Sequence, residues 1–251
     1  MILCGGLHLS HGEKFKCEFK DGSFNSVGNV YYCYVTSLDN SFDNMTIDGF
    51  TGVHVAGRTD NNVRGIWIEG TNTKYIPTNL GFLSHLTTLI VRNSNLIVIK
   101  AENFLGMQNL EYLELYNNKL TSVPLDAFST LIKLKYLSLS FNQIEVIPYN
   151  LFSNNLNLER IDLDYNKIKF FGSGVFDQLT KLKVLYLSGN FCINENFRDI
   201  IQLKHVLKSK CKNPNDLIEI IGNLKQENKE FKSQLSKANK EVQQSSGFEE
   251  W

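Results

Sequence analysis

Two closely spaced carboxylates are the side chains in this sequence that most resemble an acid–base pair. Asp162 and Asp164 stand two positions apart, a spacing that places both on one face of a strand. General acid–base catalysis also needs positioned partner groups, and no histidine or lysine partner is evident beside them. Like-charged neighbours on an exposed strand more often form a recognition patch. The sequence therefore predicts a protein that is not an enzyme.

The histidines do not suggest a metal or cofactor site. All five are dispersed: His8, His11, His54, His85 and His205. The first two could share one face, but they belong to an N-terminal segment that signal cleavage would remove. The chain contains neither a glycine-rich phosphate loop nor a zinc-ligand spacing. We therefore predict no metal and no cofactor.

A 24-residue repeat organises the middle of the chain. Its first leucine recurs as Leu86, Leu110, Leu134, Leu158 and Leu182. Apolar residues follow three and five positions later, and the pattern L-x-x-L-x-L-x-x-N-x-L results. A weaker sixth copy begins at Val63. In the second half of the repeat, the phenylalanines Phe104, Phe128, Phe152 and Phe176 share one register. Such self-similarity indicates a stack of identical structural units.

The alternation L-x-L predicts a short strand whose apolar side chains point inwards. One repeat cannot bury that edge alone, so the copies must stack and their strands must form a parallel sheet. The recurrent phenylalanine fills the outer half of each coil. Asn155 replaces the apolar residue found in sister repeats, which we interpret as a local irregularity on the convex side.

The asparagine at the turn of each repeat is predicted to be interior. Its amide can satisfy backbone groups that leave the ladder, where an unpaired group costs about 1–3 kcal/mol. The predicted asparagine ladder is Asn118, Asn142, Asn166 and Asn190. Ser94 and Thr71 are shorter substitutes, so we expect the first two turns to be held less firmly.

With the second half included, the motif reads L-x-x-L-x-L-x-x-N-x-L-x-x-(I/V)-P-x-x-x-F-x-x-L over residues 63–192. It resembles the typical 24-residue leucine-rich repeat of extracellular proteins. The resemblance implies a curved solenoid with a parallel β-sheet on its concave face and an irregular convex side. The layout is similar to the secreted leucine-rich-repeat immune proteins of mosquitoes and other flies, although the predicted coil contains no cysteine here.

The predicted organisation has six parts. They are a residual signal or leader at 1–11, an N-terminal hairpin-like cap at 12–62, six repeats at 63–191, a helical C-terminal cap at 192–212, a coiled-coil helix at 213–244 and a disordered tail at 245–251. The N-terminal run could also be an ordinary frayed terminus. The cysteines favour the signal, and with it secretion.

Two cysteine pairs stand at the two ends of this array of extracellular type, which favours disulfides. We predict Cys17–Cys33 and Cys192–Cys211, each contributing about 2–4 kcal/mol. Buried free thiols in a cytosolic protein are the alternative. Cys4 is left over, either as part of a removed leader or for an interchain partner. A glycosylation sequon begins at Asn44.

Residues between the apolar anchors of the strands should point out of the concave face. The predicted binding face comprises Trp67, Arg92, Tyr112, Glu114, Tyr116, Tyr136, Arg160, Asp162, Asp164 and Tyr186. We expect the tyrosines at 112, 116 and 136 to cluster beside the glutamate, and the two aspartates to form an acidic patch. Exposed aromatics are enriched in protein interfaces. The alternative is that the tyrosine pairs only support the sheet.

The C-terminal segment shows four heptads. Its predicted seam is Leu217, Ile221, Leu224, Asn228, Phe231, Leu235, Ala238 and Val242. An asparagine at a core position such as 228 sets the register of parallel dimers. The alternative is one amphipathic helix that folds back on the solenoid, because Gly222 and Ala238 weaken the seam.

The sequence therefore predicts a secreted, non-catalytic protein that recognises another protein through its concave face and associates with itself or a related chain through its C-terminal helix. The formal net charge of zero argues against nucleic acid and anionic membrane as partners. No run approaches the roughly 20 apolar residues of a membrane span. The resemblance implies a role in insect innate immunity. Alternatives are a fragment of a receptor or adhesion ectodomain, or a protein inhibitor of an enzyme.

Overall fold

The computed structural model of the protein describes residues 13–24, 27–38, 46–78, 80–198, 206–207 and 210–211. The described strands are β1 Glu13–Phe24, β2 Gly28–Ser37, β3 Ile47–Thr51, β4 Gly65–Glu69, β5 Thr88–Arg92, β6 Tyr112–Glu114, β7 Tyr136–Ser138, β8 Val146–Ile147, β9 Arg160–Asp162, β10 Phe170–Phe171, β11 Val184–Tyr186 and β12 Asn196–Phe197. Short 3-10 helices span Asp60–Asn62, Leu80–Leu83 and Ala101–Phe104.

One strand from each repeat joins a single sheet. Its ten strands run in the order β12-β11-β9-β7-β6-β5-β4-β2-β1-β3. Neighbouring repeats pair in parallel and in the register of the sequence repeat, so that one row contains Ile66, Leu89, Leu113, Leu137, Ile161 and Leu185. The members of this row are all buried. The predicted stack of coils with a parallel sheet is confirmed.

A row of phenylalanines fills the opposite half of the coils. The ring centroids of Phe104 and Phe128 are 5.9 Å apart, those of Phe128 and Phe152 6.5 Å, and those of Phe152 and Phe176 5.9 Å. Each ring packs on the rings of adjacent coils, so the coils share one continuous core. On this side, β8 and β10 form a two-stranded parallel sheet.

The turn asparagines link each coil to the one before it. The side-chain nitrogen of Asn142 donates to the carbonyls of Leu115 and Leu139, both at 2.9 Å, and its oxygen accepts the amide hydrogen of Leu120 at 3.0 Å. Equivalent bonds surround Asn118, Asn166 and Asn190. By contrast, the Ser94 hydroxyl donates within its own coil, to the carbonyl of Arg92, and its only bond to the preceding coil among the described residues is one accepted from the Thr71 hydroxyl at 3.4 Å.

Asn155 is only partly satisfied in the interior of its coil. It is fully buried, and its nitrogen donates to the carbonyls of Phe128 and Leu131, both at 2.9 Å. Its amide thus joins two coils where sister repeats place an apolar side chain. Its side-chain oxygen, in contrast, is buried without a hydrogen-bond partner among the described residues. The predicted irregularity is therefore present as one unpaired buried acceptor, while the nitrogen of the same amide is satisfied.

The N-terminal segment closes the first end of the core. β1 and β2 form an antiparallel hairpin, linked by the disulfide Cys17–Cys33, and β2 pairs in parallel with β4 of the first repeat. Cys33 and Phe15 are fully buried in the shared core. The hairpin-like cap and its disulfide are as predicted.

The second end carries the disulfide Cys192–Cys211, also as predicted. The predicted helical cap does not begin with a helix. Its described first part contains the strand β12, which pairs antiparallel with β11. Further along, Val206, Leu207 and Lys210 have helical backbone. The remainder of the predicted helical cap, the seam at 213–244 and the sequon at Asn44 lie outside the described residues.

Candidate functional site

The solvent face of the sheet carries two clusters of charged and aromatic side chains. In the first, Arg92 donates to Glu69 at 3.1 Å and to Glu114 at 3.4 Å. Its guanidinium carbon lies 4.6 Å from the ring centroid of Trp67, whose indole nitrogen donates to Glu69 at 3.0 Å. Arg92 therefore connects three adjacent strands and holds the tryptophan in place.

The second cluster is built on a tyrosine pair. The rings of Tyr112 and Tyr136 stack with centroids 4.3 Å apart and an interplanar angle of 13°. Their hydroxyls donate to Glu114 at 2.7 Å and to Asp162 at 2.8 Å. Because each hydroxyl has a carboxylate acceptor, the two rings have fixed orientations before any partner arrives.

Arg160 completes this cluster. It donates from two nitrogens to the carboxylate of Asp162, each at 2.8 Å. Its guanidinium carbon lies 5.3 Å from the ring centroid of Tyr136 and 4.8 Å from that of Tyr186. The guanidinium therefore makes cation–π contacts with both tyrosines while neutralising the aspartate.

The predicted acidic patch is wrong. Asp162 is only 5% exposed, and its charge is paired with Arg160. Asp164 accepts the amide hydrogen of Ser188 at 2.9 Å, and burial raises its pKa. The sequence contained a signal for this pairing, because Arg160 lies two residues before Asp162 on the same strand face, but the acidic-patch prediction did not use it.

The predicted cluster of three tyrosines divides into two groups. Tyr116 packs on Phe141, with centroids 5.1 Å apart, and Phe141 stacks on Tyr165 at 4.4 Å. Sequence reasoning missed Phe141 and Tyr165. The sequence contained a signal for them, because they are aromatic at a repeat position that elsewhere holds only glycine or asparagine, at Gly70, Asn93, Asn117 and Gly189.

The N-terminal hairpin places an aromatic residue, Phe24, beside the tyrosine pair. The ring centroid of Phe24, at the end of β1, lies 5.6 Å from that of Tyr112 and 6.2 Å from that of Trp67. An open cleft of about 460 Å³ results, which we call the tyrosine cleft. It is lined by Ser23, Phe24, Tyr112, Lys135, Tyr136, Glu159, Arg160, Lys183 and Val184. No local pattern could identify Phe24, because its position depends on how the hairpin docks.

The charged residues at the cleft are paired along the sheet. The ammonium of Lys135 lies 2.7 Å from a carboxylate oxygen of Glu111, and that of Lys183 lies 2.6 Å from one of Glu159. The tyrosine cleft thus has an aromatic centre with a polar rim, the arrangement typical of protein interfaces.

Both tyrosines of the cleft should resist ionisation. Burial raises the pKa of Tyr112 and Tyr136 well above the ordinary value of 10.0, and the adjacent carboxylates of Glu114 and Asp162 add to the effect. The unfolded chain releases these protons near pH 10 while the folded chain keeps them, so the free energy of unfolding should fall as pH rises above that value. Absorbance at 295 nm during alkaline titration measures the ionisation of the tyrosines, and urea denaturation at several pH values measures the free energy of unfolding. With both tyrosines replaced by phenylalanine, the late-ionising fraction should shrink by two tyrosines, while the contribution of Tyr32, whose pKa burial also raises, should remain. An unchanged titration would contradict the assignment.

The contacts of His54 stabilise the fold. Its Nδ1 is hydrogen-bonded to the Tyr31 hydroxyl at 2.9 Å, and its Nε2 is hydrogen-bonded to the Asp60 carboxylate at 2.8 Å. Its ring stacks on that of Phe19, with centroids 3.8 Å apart. These contacts tie the loop before the first repeat to the hairpin. Among the described residues, no group of histidine, cysteine and acidic side chains is arranged to hold a metal ion. No helix in that part of the chain has the length and apolarity of a membrane span.

The repeated coil, the buried asparagines and the phenylalanine row agree with a known family. The leucine rich repeat family model matches residues 84–144 and 132–190. These coils are leucine-rich repeats. The matched segments contain the tyrosine pair, Arg160 and their carboxylates, so the cleft is formed largely by side chains that the repeat leaves variable.

Among solved structures, this leucine-rich-repeat chain is similar to one in the Toll–Spatzle complex, which is described as a molecular hub in Drosophila development and innate immunity. The identity is 22% over 51% of this chain and 17% of that chain, with a TM-score of 0.49. It is also similar to a chain of the TLR13–ssRNA13 complex, at 26% identity over 52% of this chain and 20% of the other, with a TM-score of 0.48. This protein spans a fifth or less of the length of each of these two similar chains. No curated protein sequence matches it.

Proposed function

We propose that this leucine-rich-repeat protein is a non-catalytic extracellular recognition protein, and that it binds another protein in the tyrosine cleft. The observation that carries the proposal is the stacked pair Tyr112–Tyr136, held by carboxylates on one side and flanked by Arg160 and Phe24. Tyrosine and arginine are the residue types that dominate binding energy at protein interfaces.

Preorganisation supports this role. Side chains that become ordered only on binding lose roughly 0.5–1.5 kcal/mol each. In the cleft, the hydroxyls of Tyr112 and Tyr136 and the guanidinium of Arg160 already have partners, so little of that loss remains. If the tyrosines only supported the sheet, nothing would require the hairpin to leave an open space of about 460 Å³ beside them.

The extracellular setting rests on the two disulfides at the ends of the repeat array, since such bonds persist mainly in oxidising compartments. A role in insect innate immunity is proposed on the sequence resemblance. Self-association through the helix predicted at 213–244 is likewise part of the proposal, and it is supported by the heptad pattern alone.

Four forms of the full chain test the cleft as baits for proteins of extracellular fluid: the wild type and the variants Tyr136→Ala, Tyr136→Phe and Tyr149→Ala. Tyr149 is 56% exposed and lies outside the cleft, so it is the matched control. A partner of the cleft should bind the wild type, Tyr136→Phe and Tyr149→Ala similarly, because the phenylalanine keeps the stacked ring.

Affinity of each captured partner is then measured by surface plasmon resonance. Tyr136→Ala should weaken binding at least about tenfold, the effect of losing a hot-spot aromatic. If every captured protein binds Tyr136→Ala as tightly as the wild type, the cleft is not the recognition site and the proposal fails.

A further inference from the structure

A second aromatic surface lies apart from the tyrosine cleft. We call Tyr116, Phe141 and Tyr165 the aromatic ridge. Their rings pack in sequence, with centroids 5.1 and 4.4 Å apart, and the ring of Tyr165 lies against Gly189, where an added Cβ would come within 2.8 Å of it. Despite this packing, Phe141 is 40% and Tyr165 55% exposed. The ridge therefore presents a substantial part of its packed aromatic rings to solvent.

The backbone at these positions is unsuited to aromatic residues. The equivalent residue in every described repeat has a positive φ: Gly70 66°, Asn93 53°, Asn117 51°, Phe141 57°, Tyr165 51° and Gly189 71°. Glycine and asparagine adopt this left-handed conformation readily, whereas it is a genuine outlier for bulky residues. The fold would accept asparagine at 141 and 165. Two exposed aromatics that the backbone disfavours point to a role outside the fold.

The charges beside the ridge are mainly positive. Lys119 and Lys167 follow the ridge position by two residues in their coils, and both are exposed. Lys119 makes no ion pair within the described part of the chain. The ammonium of Lys167 donates to the amide oxygen of Gln143, and, together with Lys169, it helps to lower the pKa of Glu145 without forming a direct ion pair with it. Glu145 is paired with Lys169 at 2.8 Å, and Asp164 is bound to the amide of Ser188. Neither ammonium is therefore held in a direct ion pair among the described residues, and both are open to carboxylates of a partner.

We propose that the aromatic ridge is a second contact surface, which binds an acidic polypeptide segment of a partner protein. Apolar side chains of that segment would pack on the exposed parts of the Phe141 and Tyr165 rings, and its carboxylates would pair with Lys119 and Lys167. The surface is independent of the tyrosine cleft, so one partner could occupy each.

Short fluorescein-labelled peptides serve as probes for the full chain: repeating Glu-Glu-Phe, repeating Glu-Glu-Ser and repeating Lys-Lys-Phe. Fluorescence anisotropy at low salt should show binding of the first, with the other two at least about tenfold weaker. The double variant Phe141→Asn/Tyr165→Asn should lose this binding, and its thermal midpoint should not fall, because asparagine already occupies this position at 93 and 117.

One further variant tests the contribution of the lysine charges separately from that of the aromatic rings, and another tests whether the peptide binds at the ridge or in the tyrosine cleft. Lys119→Glu/Lys167→Glu should reverse the preference toward Lys-Lys-Phe. Tyr136→Ala should bind Glu-Glu-Phe as the wild type does, so that failure of the cleft and failure of the ridge are distinguishable.

Several results would overturn the proposal. Equal binding of Glu-Glu-Phe by the asparagine double variant excludes the ridge as its site. Binding to phosphatidylserine vesicles without peptide binding would make the surface a membrane contact. Self-association that the asparagine variant abolishes, again without peptide binding, would assign the ridge to a second copy of this chain.

Discussion

Replacing Phe128 by alanine should lower the free energy of unfolding by about 3–5 kcal/mol, the usual cost of truncating a buried phenylalanine. Phe128 is fully buried, and its ring centroid lies 5.9 Å from that of Phe104 and 6.5 Å from that of Phe152. Removing it leaves a void between two coils, and the rigid coils can close it only partly. Urea denaturation followed by circular dichroism measures the loss.

Phe191→Ala is the matched control, because the same atoms are removed from a ring that is 68% exposed. We expect a change within about 0.5 kcal/mol. Coils of a solenoid are stabilised through their neighbours, so Phe128→Ala should also reduce the cooperativity of unfolding. Equal losses in the two variants would show that the phenylalanine row does not couple the coils.

The sequence predicted the coils and their register because one repeat length governs both. A residue 24 positions later occupies the same place in the next coil, so Leu113, Leu137 and Ile161 had to be neighbours. The disulfides and the hairpin followed for a similar reason, since each lies at an end that must be closed.

The candidate site was less predictable, because its properties depend on how side chains pair. Position in the repeat placed Asp162 on the exposed face of a strand, but Arg160 and Tyr136 bury and neutralise it. The left-handed backbone at Phe141 brings its ring onto Tyr116, which thereby leaves the expected group of tyrosines. Strand alternation fixes which face a side chain occupies and does not fix its rotamer or its partner.

A loss of about 3–5 kcal/mol is also expected for Asn142→Ala, although far fewer apolar contacts are removed. The substitution leaves the amide of Leu120 and the carbonyls of Leu115 and Leu139 without their partners in the interior. Each unsatisfied buried group costs about 1–3 kcal/mol, and partial entry of water keeps the total below the sum. The loss of stability in Asn142→Ser should lie between zero and the loss in Asn142→Ala. In the equivalent serine of an earlier coil, Ser94, the hydroxyl makes one hydrogen bond to the backbone, within its own coil, and a serine at 142 should do the same.

Asn157→Ala distinguishes this effect from the loss of an asparagine in general. The amide of Asn157 also bonds to the preceding coil, at 2.8 Å from the carbonyl of Ile132, but that bond is open to solvent. Water can replace it, so we expect less than about 1 kcal/mol. Urea denaturation of the two alanine variants gives the comparison. If they lose equal stability, the asparagine ladder acts as a set of ordinary surface hydrogen bonds, and the coils are held together by the apolar rows alone.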